Sequence, residues 1–341
     1  MGDDRKTTRT KKRKVTDTET EVPPTENPVK TRKKNAQVSS STQPERTIPT
    51  IPLTNGTSTP MSIPQLGFGT YRLKQSAVKP PLRLALLQSY PLLDTASVYN
   101  NEKQIGELLC ALSLATPPFI STKLWRSHQG SPKIITQNLQ KSLRALDVPA
   151  IDLYLLHWPG PGHHRFKKYQ VPQDWTPQMR IETWKTMTSF LKTGECRAVG
   201  VSNFTIRHLE QLKAECEIIP AVNQIECHPF LVQKELRDYC KKDGIVVMAY
   251  CSLGEGDKKL LTHPAITNCA DAVGKTPAQV LLRWAVEHGM VVIPCSTSEA
   301  HQKENMDIFE WELGEEWMAK LDSLDCGVRY GWKGQDPEDV P

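Results

Sequence analysis

The first 46 residues hold no aromatic side chain and almost no large apolar one. A segment so poor in core material cannot offset the entropy of ordering its backbone, so residues 1–46 are expected to be disordered. No apolar run approaches the roughly 18 residues that span a bilayer, and the polar start does not read as a signal peptide, which points to a soluble, cytoplasmic chain. The nine cysteines, at 110, 196, 216, 227, 240, 251, 269, 295 and 326, include no CxxC pair. An odd number of scattered thiols suits a reducing compartment better than a disulfide frame or a zinc site. HExxH and GxSxG are also missing, which removes the common zinc hydrolases and nucleophile-elbow hydrolases. No metal is expected.

Charge is equally uneven. Residues 1–46 carry twelve Lys/Arg against seven Asp/Glu, a net +5, and the whole chain is also +5, with 43 basic and 38 acidic residues. Residues 47–341 therefore balance at zero and give no reason to expect nucleic acid as a partner. The clusters Lys11-Lys12-Arg13-Lys14 and Lys30-Thr31-Arg32-Lys33-Lys34 fit a bipartite nuclear import signal or a solvated charged tail.

What is present is alternation. Asn55-Gly56 lies between two short apolar stretches and suggests a β-hairpin, with Pro60 confining its second arm to an edge. Eight apolar runs follow, at 65–68, 92–94, 119–122, 151–156, 198–201, 222–225, 246–250 and 290–293. Helical spacing fills 82–88, 102–114, 131–146, 180–193, 205–216, 232–242, 276–288 and 299–308. Ser131-Pro132 and Thr276-Pro277 read as helix starts. Eight strands alternating with eight helices predict an α/β fold, a (β/α)8 TIM barrel over 47–341 behind the basic tail. A doubly wound open sheet is the rival, but Gly67-Phe68-Gly69 lacks the third glycine of a dinucleotide fingerprint. A further helical stretch, 315–324, is expected outside the barrel. The long connection 159–179 is expected to wall the substrate cleft.

In such a barrel the working face lies at the carboxyl ends of the strands. The polar residues that end the apolar runs are Asp94, Lys123, His157, Ser202-Asn203, Gln224, Tyr250 and Ser296, and Tyr99 follows Asp94 in the next loop. Each alone reads more readily as a cap, a solvated lysine or a satisfied core histidine; together they outweigh those readings. The chemistry open to Asp, Lys, Tyr and His is narrow. Tyrosine is a poor acid at neutral pH, its unperturbed pKa being about 10. A lysine ammonium in contact is expected to lower that value, with Asp94 holding the lysine charged. Tyr99 would then give a proton to a carbonyl oxygen, worth on the order of 10²–10⁴ in rate. A neutral His157 would orient the same oxygen. None of these groups supplies hydride, so a nicotinamide cofactor is implied.

The body resembles an aldo-keto reductase over residues of about 55–330. The resemblance rests on Gly67-Phe68-Gly69-Thr70-Tyr71, Asp94-Thr95-Ala96 with Tyr99 and Asn101-Glu102, Ser121-Thr122-Lys123-Leu124-Trp125, and Leu156-His157-Trp158-Pro159. It continues through Gly200-Val201-Ser202-Asn203-Phe204, Asn223-Gln224-Ile225-Glu226-Cys227-His228-Pro229, and Ala249-Tyr250 to Leu253-Gly254. It implies a catalytic tetrad of Asp94, Tyr99, Lys123 and His157. It implies that Ser202, Asn203 and Gln224 hold the nicotinamide carboxamide of NADPH, with Tyr250 stacked on the ring. It implies further cofactor contacts at Leu253, Ser296, His301, Glu304 and Asn305, and a substrate pocket of Tyr71, Trp125, His157 and Trp158.

Two departures bear on the cofactor. The family's last strand ends Pro-Lys-Ser with an Arg six residues after the Lys, cations that grip the 2′-phosphate. Here stand Pro294-Cys295-Ser296 and His301, with Lys303 on another helix face. Each missing charge-assisted bond is worth roughly 1.5–3 kcal/mol, so weaker discrimination of NADPH from NADH is expected. The stretch after Gly254 is short, which predicts a small strap and fast cofactor exchange. The leading expectation is NAD(P)H-dependent reduction of a small-molecule aldehyde or ketone by a monomer. A cofactor-sensing binding subunit is the alternative, and an intact tetrad argues against it.

Overall fold

The computed structural model describes residues 47–161, 175–332 and 335–341. A hairpin comes first: β1 (Thr50–Leu53) runs antiparallel to β2 (Met61–Pro64), with Leu53 opposite Met61. Asn55-Gly56 is not a tight two-residue turn. It belongs to a longer loop that plugs the bottom of the sheet. The Gly56 carbonyl accepts from Val199 N at 2.8 Å. Its φ is +55°, and a Cβ there would meet Val199 O and Ala221 N at 2.7 Å, so only glycine fits.

Eight parallel strands follow: β3 (Phe68–Gly69), β4 (Leu92–Asp94), β5 (Phe119–Leu124), β6 (Ile151–Leu156), β7 (Cys196–Ser202), β8 (Val222–Glu226), β9 (Val246–Tyr250) and β10 (Val291–Val292). They pair in chain order. The ring closes where Gly67 N donates to Val292 O at 2.8 Å and Val292 N to Gln65 O at 3.0 Å. The expected strand at 65–68 is therefore the seam of the barrel, with its regular ladder one residue later.

The helices are α1 (Lys79–Leu87), α2 (Glu102–Leu112), α3 (Pro132–Leu146), α4 (Pro177–Thr193), α5 (Ile206–Glu215), α6 (Lys234–Lys242), α7 (Lys258–Leu261), α8 (Pro264–Val273), α9 (Pro277–Glu287), α10 (Glu299–Met306) and α11 (Glu315–Asp322). Thr276 forms a capping box with Gln279, as its place before Pro277 suggests, whereas Ser131 makes no side-chain cap. The periodic segments of the sequence omit α8. It buries only Ile266, Cys269 and Ala270 and is capped by the His263 ring, a residue outside the usual cap set.

Alternation along each strand sorts two cores. Outward residues such as Phe68, Leu93, Tyr154 and Val199 pack under the helices. Inward residues Leu92, Leu153, Leu155, Val222, Met248 and Ile293 fill the barrel, with Leu53 and Ile63 of the hairpin among them. The same inward parity, continued to the carboxyl ends of the strands, reaches Asp94, Lys123, His157, Ser202, Gln224, Glu226 and Tyr250. That is where polarity begins. Residues 1–46 and the middle of the 159–179 connection lie outside the described residues, so the expected disorder of the tail and the cleft wall there go with them.

Candidate active site

Asp94 is the last residue of β4 and Lys123 the next-to-last of β5, and the ladder sets Asp94 beside Ser121. The Lys123 ammonium donates to Asp94 Oδ2 at 2.6 Å and to the Thr95 carbonyl at 2.8 Å. The other Asp94 oxygen accepts from Ser121 at 3.0 Å and from the Gln224 amide at 2.8 Å. Lys123 is fully buried. Burial lowers its pKa and Asp94 opposes that shift, leaving a net lowering.

The loop that follows Asp94 is pinned from both sides. Asn101 donates to the carbonyls of Thr70 and Leu73 and accepts the Thr95 hydroxyl at 2.8 Å. Asn100 turns the chain at φ +57°. These bonds set the Tyr99 ring with the Lys123 ammonium 5.2 Å from its centroid. The expected lowering of the phenol is not what the environment produces. Burial dominates, Asp94 and Tyr71 add to it, and Tyr99 is pushed well above the usual tyrosine range. The shift favours the protonated phenol.

His157 follows β6. Its ring lies 6.0 Å from that of Tyr99 at 77° and 5.1 Å from Trp125 at 82°. Burial, then the charges of Lys123 and Arg126, hold its pKa well below the ordinary histidine value. The imidazole is neutral, as the sequence suggests. Beside it, Asn203 donates to the His157 carbonyl at 3.0 Å, accepts the Tyr250 hydroxyl at 2.7 Å and sits at φ +62°. The Ser202 hydroxyl donates to the Gln224 carbonyl at 2.9 Å.

A cavity of about 880 Å³ opens at this face. At one end it is lined by Tyr71, Asp94, Tyr99, His157, Ser202, Gln224 and Tyr250, and it extends past Leu253 to Ser296, His301, Glu304 and Asn305. Lys123 lies behind the wall. Trp158 does not line the pocket, contrary to expectation: it is fully buried, with the Arg126 guanidinium 4.3 Å from its ring. Trp125 is likewise buried and absent from the lining; it stacks on Trp332, which does line the cavity, at 5.7 Å and 29°. Trp332 is the wall residue that the sequence reading missed. It stands outside every periodic segment, and only the return of the chain across the strand ends brings it here. Also unforeseen is the ion pair of Arg72 and Glu255 at 2.8 Å, two lining residues joined across the loops after β3 and β9.

The cavity fits a nicotinamide dinucleotide. Its volume suits such a ligand. Ser202 and Gln224 line one end beside the Tyr250 ring, with Asn203 bonded behind them to the Tyr250 hydroxyl, and serine, asparagine and histidine line the other. Among the described residues no group of three or more His, Cys, Asp or Glu could hold a metal ion.

Residues 65–325 match the model of the aldo/keto reductase family. The chain belongs to the aldo/keto reductase family. It is an oxidoreductase by that membership, and its barrel is the one the resemblance implies. The glyoxal reductase of Bacillus subtilis is 37% identical over 284 residues, covering 83% of this chain and 95% of that protein. The methylglyoxal reductase DkgA of Yersinia pestis is 35% identical over 277 residues, covering 81% of this chain and 93% of the relative. A crystal structure of an aldo-keto reductase complexed with NADPH superposes with a TM-score of 0.74 at 30% identity, covering 83% of this chain and 90% of that one.

Proposed function

We propose that the protein reduces aldehydes and ketones with NADPH, and that Tyr99 gives the proton. When bound, the dihydronicotinamide supplies hydride to the carbonyl carbon. The side chains do the rest. The Tyr99 hydroxyl donates to the carbonyl oxygen as it gains charge, and an environment that raises its pKa above the ordinary tyrosine value favours the protonated form beforehand. Lys123, kept in place by Asp94, offsets the negative charge left on the phenol. Neutral His157 hydrogen-bonds the same oxygen and fixes its direction. Tyr71, whose ring centroid is 5.2 Å from that of Tyr99, covers the reacting carbonyl, and Trp332 forms the wall beyond it.

Ser202, Asn203 and Gln224 hold the carboxamide, and Tyr250 carries the ring. Leu253, Ser296, His301, Glu304 and Asn305 contact the remainder of the dinucleotide. The relatives named for glyoxal and methylglyoxal make small dicarbonyls the first substrates to assay. The observation that carries this reading is the fully buried Lys123–Asp94 pair beside Tyr99 and His157 at the end of one cavity. Tyr99→Phe is expected to lower kcat by roughly two to four orders of magnitude. NADPH binding, followed by fluorescence titration, should stay within about threefold of wild type. A variant that keeps more than about a tenth of the wild-type rate would remove Tyr99 as the acid.

A further inference from the structure

Residues 328–332 cross the carboxyl ends of β8 and β9, and one carboxylate holds them there. Glu226 is the last residue of β8, points inward by strand parity and is 1% exposed. Its Oε1 accepts the backbone N–H of Tyr330 at 2.5 Å and of Gly331 at 3.1 Å, and lies 3.2 Å from His228 Nε2. Its Oε2 is buried and has no partner among the described residues. The carboxylate itself does not line the cavity and bonds none of the four residues of the proposed chemistry, but Gly331, which it holds, is a lining residue. Such a group is costly to bury unless its bonds secure something else.

What those bonds secure is visible in the next two residues. Gly331 lies so close to the cofactor platform that a Cβ there would be 3.0 Å from Tyr250 Cε2 and 3.3 Å from both Cys251 Sγ and Glu226 Oε2. Trp332 is held at φ +51°, a conformation a tryptophan adopts only when its surroundings impose it. Its ring centroid is 5.6 Å from that of His157, 5.7 Å from Trp125 and 5.9 Å from Tyr71. Glu226 also pairs in register with Tyr250 across β8 and β9. The anchor therefore holds the segment that carries Trp332 in place beside the Tyr250 strand end.

We propose that Glu226 is a positioning residue that seats Trp332 against His157, so that it governs binding of aromatic carbonyls rather than the chemical step. The inference rests on the reductase reading of the site. A carbonyl bearing an aromatic ring needs the Trp332 wall; a three-carbon dicarbonyl is too small to feel it.

The test uses the full chain, with 4-nitrobenzaldehyde and methylglyoxal as substrates. Glu226→Ala is expected to raise KM for the aromatic aldehyde at least tenfold. Its kcat on methylglyoxal and its NADPH dissociation constant should stay within about threefold of wild type. In hydrogen exchange the amides of Tyr330 and Gly331 should lose protection while those within β8 keep theirs. Glu226→Gln retains an acceptor oxygen and should restore the wild-type KM. Gly331→Ala leaves the carboxylate in place, crowds Tyr250, and should reproduce the KM defect of Glu226→Ala. Equal loss on both substrates in proportion to the folded fraction would overturn the proposal, because a merely structural carboxylate predicts that pattern. So would unchanged protection at residues 330 and 331. If the wild-type chain reduces neither aldehyde, the reductase reading fails and the exchange measurement alone decides whether Glu226 anchors the segment.

Discussion

At the Tyr99 end of the cavity every charged group is buried and bonded: Lys123 to Asp94 and Thr95, Asp94 also to Ser121 and Gln224. At the other end, Cys295 and His301 are exposed, and Lys303 pairs with Glu299 on its own helix at 2.7 Å instead of facing the cavity. The Arg72 charge is matched by Glu255, and Glu304 adds an acidic side chain to the lining. At the first end the charged groups are bonded to one another, whereas at the second the side chains are exposed or paired within their own segment.

The largest effect that would sharpen this contrast is expected from Lys123→Met. It strands Asp94 as a buried charge, which costs on the order of 3–5 kcal/mol in urea unfolding. Carbonyl reduction should fall by about three orders of magnitude or more, since phenol and lysine act as one unit. Loss of activity without loss of stability would break the contrast, because it would mean that solvent reaches the pair. Next in size, Cys295→Lys combined with His301→Arg should tighten NADPH binding roughly tenfold to a hundredfold while leaving NADH binding and kcat within about twofold. If both cofactors tighten equally, the added charge reads the shared pyrophosphate and not the ribose phosphate. A smaller effect concerns pH. Burial, ahead of the Arg180 charge, holds His208 down at about 3, with its ring bonded to the Val340 carbonyl at 2.9 Å. The folded value is depressed, so the unfolded chain takes the proton first, near 6.5. The contribution of His208 is whole above that pH and is lost as pH falls toward 3. By pH 5.5 the loss is about 1.4 kcal/mol, and His208→Gln should flatten this part of the stability profile measured by urea titration.

The barrel was legible because eight short apolar runs alternate with segments of helical spacing, and because polar residues recur at the ends of the runs. Strand parity then brings Asp94, Lys123 and His157 to one face, whereas Tyr99 is set beside them by the loop bonds of Asn101. What it hid was set by tertiary contact. The resemblance implied Trp158 as a pocket wall, yet adjacent residues leave a strand in opposite directions, and Trp158 is fully buried away from the lining. Trp332 had no periodic neighbour to announce it. The sign of the Tyr99 shift depends on burial against charge, a contest that spacing does not weigh. Asn55-Gly56 announced the hairpin, which is present, but not the backbone of Val199 and Ala221 on which Gly56 docks, because that contact is distant in sequence.

The closing seam has a bearing on how the chain reaches this form. Gln65 and Gly67 must find Val292, and Asn55 must reach the carbonyls of Asp243 and Gly244, 188 and 189 residues along the chain. Contacts so distant are slow to form, because the intervening loop must be confined before any bond rewards it. The ring is therefore expected to shut late, after neighbouring strand–helix units have consolidated, and until it shuts both strand edges remain open to other chains.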